Sequence, residues 1–397
     1  MMKWIKCSTA CGLLFFLVAG ISQGLGTGNN LQVNNNLRLE YDDNIYQSNT
    51  NKTASLKVID QLELMYNLNL DRTFLSLRYR PAFTWWENRE AQREDALQHE
   101  ADVVLNQVFS PRLSLSLMDT FRRGLQPELI DRNTGRTQEN QDFIGNTANG
   151  TLSFLLSPKT TLDVAGRYYL LEYDNEAMSN SNYRVSTAGL SLRHQLSGQT
   201  RVSGDARYED ISYDGVDRGS QSVFVGAGLE KTISARLLGS LSGGLQVKTF
   251  NSSALSGKNS PYGNVSLTYL PTSLMRFTVG GGYALMETEI FPFANQEQLT
   301  GFASFAYDIT SRLAFYLSGA ATRGQYDQKW MVQAGSSTNG VVDFNGTDLI
   351  LQASARMTYR LNRSNWLGIG YGYTTLSSDL REDFVRNQYD VNWTTQF

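Results

Sequence analysis

The sequence contains little cysteine, histidine or proline, and it has no long apolar run outside its N-terminus. Its 397 residues include 2 Cys, 2 His and 7 Pro, with a formal net charge of -3. No later segment approaches the about 18 apolar residues of a membrane-spanning helix, which excludes a polytopic helical membrane protein. The slightly acidic balance does not support binding to nucleic acid. We predict no catalytic residues, no cofactor and no metal ligands, since so few His and Cys are available.

The N-terminus has the features of a secretory signal peptide. Lys3 and Lys6 precede an apolar stretch at 13–18, and small residues follow up to Gly26. This order is typical of an exported protein whose signal is removed. The alternative is an ordinary buried helix. We therefore predict a signal peptide over residues 1–26 and one outer-membrane domain over residues 27–397. Both cysteines lie in the signal, so the mature chain has none.

The rest of the chain alternates apolar and polar residues with period two. Leu-Ser-Leu-Ser-Leu at 113–117 is one example, and residues 348–361 are another. Such alternation predicts strands with one apolar face. Many of these stretches last about ten to fourteen residues, the length that a tilted strand needs to cross a bilayer. The expected strands are 33–42, 54–68, 73–86, 97–109, 112–122, 144–156, 161–173, 183–196, 200–213, 220–233, 236–250, 260–270, 274–287, 297–309, 312–326, 347–361, 365–377 and 385–397.

The connections between these stretches fall into two classes. Short turns such as those at 110–112 and 157–160 alternate with long polar loops such as 123–141 and 327–346. This asymmetry is typical of outer-membrane barrels, with short periplasmic turns and longer extracellular loops. The fold class is therefore all-β: a transmembrane antiparallel β-barrel of about 18 strands. A soluble β-propeller or β-helix is the alternative, but its strands would be shorter.

Strand parity assigns charged residues to the lumen. Two interpretations are open: the charges pair across neighbouring strands and hold the wall, or a surplus of Arg favours passage of anions or acidic sugars. The candidate pore-lining residues are Arg38, Arg78, Arg80, Arg122, Arg167, Arg201, Arg207, Arg276, Arg356, Arg360, Glu63 and Asp205.

Aromatic residues cluster near the ends of the expected strands. Their amphipathic rings suit the two interfaces of a membrane. In the last strand Tyr389, Trp393 and the terminal Phe397 share one face, which resembles the C-terminal signal of the barrel assembly machinery. The other aromatic residues assigned to the interfaces are Trp85, Trp86, Tyr168, Tyr169, Tyr208, Tyr213, Tyr269, Tyr307, Tyr359, Tyr371 and Tyr373.

The two histidines are the remaining candidates for chemistry. His99 and His194 have no recognisable Ser or Asp motif around them. A barrel enzyme would need a base beside a nucleophile or a paired acid. We therefore expect both to be interface residues and the protein not to be an enzyme. A glycine run at 280–282 starts no helix, so we interpret it as a place where the wall bends or packs closely.

The first mature strand carries a motif that resembles a known family. Residues 37–46 are Leu-Arg-Leu-Glu-Tyr-Asp-Asp-Asn-Ile-Tyr. This run, the overall length and the Ser-Pro-Arg-Leu turn resemble the putative β-barrel porin 2 family of Gram-negative outer-membrane proteins. The resemblance implies association with exopolysaccharide and exosortase systems, and it implies no catalytic residue. Within the motif, residues 42–44 form either a strand cap or a cation site, and we favour the cap.

Two main functions remain open at this stage. The first is a porin-like channel in the bacterial outer membrane that passes or exports extracellular polysaccharide, including acidic polysaccharide. The second is a non-conducting barrel whose loops bind surface polysaccharide or scaffold a secretion assembly. The expected partners are outer-membrane lipid, the barrel assembly machinery, polysaccharide and periplasmic export proteins.

Overall fold

The computed structural model describes residues 30–88, 97–124, 142–175, 182–214, 219–253, 255–288, 293–329 and 346–397. Within these ranges the chain is all β, and no helix that could cross a membrane is found there. The predicted signal peptide and most of the two long loops at 123–141 and 327–346 lie outside the described residues.

The strands follow the period-two segments of the sequence closely. They are β1 Leu31–Asp42, β2 Ser55–Asn69, β3 Thr73–Tyr79, β4 Ala82–Trp86, β5 Leu97–Ser110, β6 Leu113–Gly124, β7 Phe143–Ser157, β8 Thr160–Tyr173, β9 Tyr183–Ser197, β10 Thr200–Tyr213, β11 Ser220–Ser234, β12 Leu237–Phe250, β13 Lys258–Thr272, β14 Met275–Glu287, β15 Phe293–Asp308, β16 Leu313–Lys329, β17 Gly346–Arg360, β18 Asn365–Ser378 and β19 Phe384–Gln396.

These strands form one closed antiparallel barrel. Consecutive strands pair along the chain, and β1 also pairs with β19 from Asn34 opposite Gln396 to Asp42 opposite Gln388. Closure removes the sheet edges and gives the backbone hydrogen-bonding partners that lipid cannot supply. The predicted fold class is confirmed.

β3 and β4 are two parts of one spanning strand, so the wall has eighteen strands. Pro81 lies at the break between them because it has no N–H to give to a ladder. Its carbonyl still accepts a hydrogen bond from the Leu62 amide at 3.1 Å. The interruption therefore removes little pairing, and the barrel stays continuous at this point.

The two faces of each strand differ as the alternation predicts. In β11, Val223 and Val225 are 47% and 58% exposed, whereas the alternating residues Ser222 and Phe224 are buried. Successive side chains on a strand point to opposite sides of the sheet. The exposed valines are therefore on the outer, lipid-facing surface, and Ser222 and Phe224 point into the lumen.

The aromatic prediction is partly wrong. Tyr41, Tyr371 and Tyr389 form an exposed group on the outer surface, with 5.0 Å between the ring centroids of Tyr371 and Tyr389. Tyr169 and Tyr213, however, are buried on the inner face. Adjacent residues of a strand point to opposite faces, so Tyr168 and Tyr169 cannot both reach the lipid interface.

The short turns share one local hydrogen bond. The backbone N–H of the residue two positions on donates to a Ser or Thr hydroxyl oxygen, as from Arg112 to Ser110 at 3.2 Å. Such hydroxyl-capped turns compensate a backbone group that the hairpin leaves unpaired. The same contact recurs from Lys159 to Ser157, Gln199 to Ser197, Arg236 to Ser234, Leu274 to Thr272 and Arg312 to Thr310.

Candidate functional site

Eleven of the twelve predicted pore-lining residues lie in strands, on the register that faces the lumen. Arg80 lies in the break between β3 and β4, where its side chain pairs with Glu100. Arg207, for example, is opposite the inward Phe224, and Glu63 is opposite the inward Asn34. Asp205 and Arg207 alternate with the outward Tyr208 on the same strand. The inward register gives these strand residues access to the interior. Their role in lining a conducting pore stays a prediction.

Many of the inward charged side chains pair with an oppositely charged side chain on a nearby strand of the wall. Arg78 lies directly opposite Asp102, and their side chains are 2.7 Å apart. Arg356 donates to Asp390 at 2.9 Å across β18. Gly370 of β18 lies between them, where a Cβ would come within 2.0 Å of the Asp390 carboxylate. These pairs match the wall-holding interpretation. They also reduce the number of cations available to a permeating anion.

The Asp42-Asp43-Asn44 motif joins the first strand to the last. Asp43 accepts hydrogen bonds from the backbone and side chain of Asn387, both at 2.7 Å. Asn44 donates its side-chain amide to the Val385 carbonyl at 3.0 Å, and its own N–H donates to Asp42 at 3.1 Å. The described residues contain no cluster of three acidic, His or Cys side chains suited to a metal ion. The geometry is that of a strand cap.

The extracellular ends of β14 and β15 turn into the lumen. The β13–β14 ladder ends at Gly263 opposite Tyr283, whereas the β14–β15 ladder continues to Glu287 opposite Asn295. Above that point, β14 and β15 leave β13 together. We call residues 284–287 and 293–298 the inturned hairpin.

Glu287 holds the inturned hairpin against the inner face of β10 to β12. Its carboxylate lies 2.5 Å from the Lys248 ammonium and accepts a hydrogen bond from the Ser220 hydroxyl. The Tyr213 hydroxyl lies 3.5 Å from the same carboxylate. These three partners are on the inner faces of β12, β11 and β10. The hairpin therefore narrows the lumen near its extracellular end.

A second ion pair fixes the base of the hairpin. Glu297 lies 2.7 Å from the Lys258 ammonium of β13 and accepts a hydrogen bond from the Tyr283 hydroxyl at 2.9 Å. Side chains therefore connect β13 and β15 where no backbone ladder joins β13 to β14. The wall stays tied together at the place where the hairpin leaves it.

Two features of the sequence accompany this departure, although neither by itself predicts that a hairpin leaves the wall. Pro261 lies in the part of β13 that has no ladder to β14, which suits a residue that donates no backbone hydrogen bond. The glycine run at 280–282 lies just below the divergence. A Cβ at Gly280 would come within 2.6 Å of the Phe302 ring, and one at Gly282 within 2.3 Å of the Asn264 side chain. The predicted close packing at this run is confirmed.

A cavity of about 440 Å³ lies between the inturned hairpin and the wall formed by β8 to β13. Tyr262 extends across two strands to reach Asp205, and its hydroxyl lies 3.2 Å from that carboxylate. Gly226 makes this reach possible, because a Cβ there would lie 2.2 Å from the Tyr262 hydroxyl. The Arg207 guanidinium lies 4.0 Å from the centroid of the Phe224 ring.

The histidines are remote from this cavity. His99 bonds to the Tyr79 hydroxyl at 2.7 Å, and His194 to the Thr160 hydroxyl at 2.9 Å. Each lies on the outer face, among residues such as Leu192. Neither His is hydrogen-bonded to a carboxylate in the described part of the chain.

The C-terminal residues predicted as an assembly signal are on the outer surface. Tyr389, Trp393 and Phe397 are each more than a third exposed. The indole N–H of Trp393 donates to the Asn365 side chain at 3.0 Å, which ties the last strand to β18. Recognition of these residues by the assembly machinery stays a prediction.

Comparison with known protein families identifies the family of this barrel. Residues 183–397, more than half of the chain, match the family described as putative beta-barrel porin 2. The chain belongs to this family. As a porin-2 barrel it is an outer-membrane protein of the porin type, which points to a channel rather than an enzyme. The curated proteins compared with it gave no significant match.

Solved structures show the same barrel at low sequence identity. OpdK from Pseudomonas aeruginosa is 11% identical, with a TM-score of 0.51 over 92% of this porin-2 chain and 99% of its own. OccK9 (OpdG) from the same organism is 12% identical, with a TM-score of 0.50 over 92% and 98%. At such identities the likeness concerns the fold.

Proposed function

We propose that this porin passes extracellular polysaccharide, including acidic polysaccharide, across the outer membrane. The observation that carries the proposal is the constricted interior: a closed wall with charged inner faces, narrowed by the inturned hairpin above a polar cavity. A wall of eighteen strands surrounds enough space for water and solutes. The hairpin then sets what passes through it.

The distribution of paired and unpaired arginines supports selection of anions. Arg78, Arg80 and Arg356 pair with carboxylates and neutralise much of the inner surface. Arg167 and Arg207 have no carboxylate within 4 Å among the described residues, and both line the cavity below the hairpin. Cations along a pore lower the electrostatic barrier for anions. An acidic sugar chain would meet these two arginines near the narrowest described part.

A second function is a barrel that does not conduct by itself. Near the extracellular end many side chains are fully buried, among them Tyr183, Asn295 and Gln296. Such a closed interior favours a barrel that binds surface polysaccharide or scaffolds a secretion assembly. The loops expected to make these contacts lie mostly outside the described residues.

The proposed route to the membrane needs partners. A signal peptide over residues 1–26 would direct export, and the barrel assembly machinery would recognise Tyr389, Trp393 and Phe397. Periplasmic export proteins would deliver the polysaccharide, since the sequence carries no nucleotide-binding motif to drive its passage.

Single-channel recording of the refolded barrel in a planar bilayer tests the proposal. We expect a stable conductance that favours anions and is reduced by an oligomer of galacturonic acid on either side. A neutral glucose oligomer of equal length is the control. A folded barrel that never conducts would contradict the open channel and favour the binding scaffold.

A further inference from the structure

We propose that the cavity below the inturned hairpin is a binding site for one carboxylated sugar unit, with Arg167 and Arg207 as the residues that hold the carboxylate. The inference rests on the proposed function and names the residues at which an acidic saccharide would bind. The cavity has a volume of about 440 Å³, which is within the range of small-ligand pockets, about 300–1,000 Å³.

The positive side of the site consists of two guanidinium groups from different strands. Arg167 belongs to β8, and its Nε and Nη2 atoms are buried without a hydrogen-bond acceptor. Arg207 belongs to β10 and is held against the Phe224 ring. Among the described residues neither group has an ion-pair partner, in contrast to Arg78 or Arg356. Buried donors without acceptors are costly, so a ligand carboxylate would satisfy them.

The same cavity contains acceptors suited to hydroxyl groups. Asp205 and Glu209 line it on β10, one on each side of Arg207, and Asn264 lines it on β13. Asp205 is already aligned by the Tyr262 hydroxyl at 3.2 Å. A simple inorganic anion has no hydroxyl donors and would leave these acceptors unused. A uronic acid offers a carboxylate to the arginines and hydroxyl donors to the acceptors.

Two aromatic rings give the cavity an apolar surface. Phe224 and Tyr262 meet edge to face, with 5.6 Å between their centroids. Gly226 leaves the space in which Tyr262 lies across the wall, so this ring is fixed before any ligand arrives. An apolar surface with a few oriented polar groups is the usual composition of a ligand pocket. It suits the C–H face of a pyranose ring.

Isothermal titration calorimetry of the barrel in detergent micelles tests the site without requiring transport. The probe is trigalacturonic acid, and maltotriose is the neutral probe of equal length. We expect wild-type protein to bind trigalacturonic acid at least tenfold more tightly than maltotriose. In the R167Q/R207Q variant we expect that preference to disappear, because charge-assisted hydrogen bonds are lost.

Arg201 provides the matched control. It is also an inward arginine of β10, but it is already paired with Glu230 at 3.2 Å and lies outside the cavity. R201Q should bind trigalacturonic acid as the wild type does. A circular dichroism spectrum with full strand content would show that each variant is folded.

The outcomes separate the site from the channel. Equal affinity of wild type and R167Q/R207Q, or equal affinity for the two probes, would overturn the site even if the barrel conducts. Arginine-dependent binding by a barrel that carries no current would support the site and contradict the channel. Loss of binding in R201Q as well would attribute the effect to general charge and would also overturn the site.

Discussion

The Arg386 guanidinium donates two hydrogen bonds, at 2.5 and 3.1 Å, to one carboxylate oxygen of Asp42. The two residues are 344 positions apart in the chain. Asp42 is fully buried, and the Lys57 ammonium lies 2.6 Å from the same oxygen. Two cations from β2 and β19 thus meet one carboxylate from β1. Asp42, within the family-like motif at residues 37–46, therefore joins the first and last strands of the barrel.

Removal of this carboxylate should weaken the closure of the barrel. An Asp42→Ala substitution removes the carboxylate that pairs with Arg386, whereas Lys57 retains Glu40 at 2.9 Å. Breaking a buried ion pair from one side costs about 3–5 kcal/mol. We expect the free energy of unfolding in urea to fall by about that amount. On gels of unheated samples, the band of the compact folded barrel should disappear at a lower urea concentration than in the wild type.

An exposed aspartate in a short turn is the control for that experiment. Asp71→Ala changes the net charge equally but removes no contact in the described structure. Its effect should stay within about 0.5 kcal/mol. Equal destabilisation by the two substitutions would contradict a special role of Asp42 in closure.

The buried pair of Glu287 and Lys248 should control the position of the inturned hairpin. Their side chains are only 2% and 1% exposed. Glu287→Ala leaves the Lys248 charge buried and unpaired, which favours release of the hairpin from the wall. We expect a larger single-channel conductance and faster amide hydrogen exchange at residues 284–287 and 293–298.

A double substitution separates the charge from the packing. In K248M/E287L both charges are replaced by apolar side chains, a change that buried pairs often tolerate. Conductance and exchange should then stay near the wild-type values. If the double variant opens as much as Glu287→Ala does, the hairpin depends on hydrogen bonds to Ser220 and Tyr213 rather than on charge balance.

The turn after β18 should depend on pH in the acid range. Hydrogen bonds from the Thr347 hydroxyl and backbone N–H, at 2.7 and 3.0 Å, hold the pKa of Asp379 below its ordinary value of 3.8. A carboxyl whose pKa is lowered by folding stabilises the turn above its unfolded pKa. That contribution is lost as the pH falls through the lowered value.

An NMR titration of the Thr347 amide in micelles measures the pKa of Asp379 in the folded turn. We expect its signal to move with a midpoint below 3.8 in the wild type, and to be insensitive to pH in Asp379→Asn. A midpoint at or above 3.8 would show that these two hydrogen bonds do not stabilise the ionised form.

Much of the wall could be predicted because it follows from local patterns. Alternation over residues 200–213 predicted β10 with the observed bounds, and the first and last strands were displaced by only a few residues. The turns were predictable because Ser or Thr caps them through contacts two residues apart. The error at Tyr169 has a local cause too: proximity to a strand end was used where parity decides the face.

The candidate site could not be predicted in the same way, because the residues that line its cavity come from seven strands, β8 to β14. Arg78 and Arg167 have equivalent inward positions in the sequence pattern, yet Asp102 neutralises the first and no described carboxylate reaches the second. The inturned hairpin had weak local signals in Pro261 and the glycines at 280–282. Neither signal says that β14 bends inward or that Glu287 will meet Lys248.

Local patterns in the amino-acid sequence account for the barrel class, the number of spanning strands, the inner and outer faces and the short turns. All of these arise from period two and from contacts between residues close in the chain. The place where the lumen narrows, the arginines without a carboxylate partner and the closure through Asp42 follow from the folded barrel alone. These depend on side chains that closure brings together from distant strands, and their separations in space are not encoded in any local pattern.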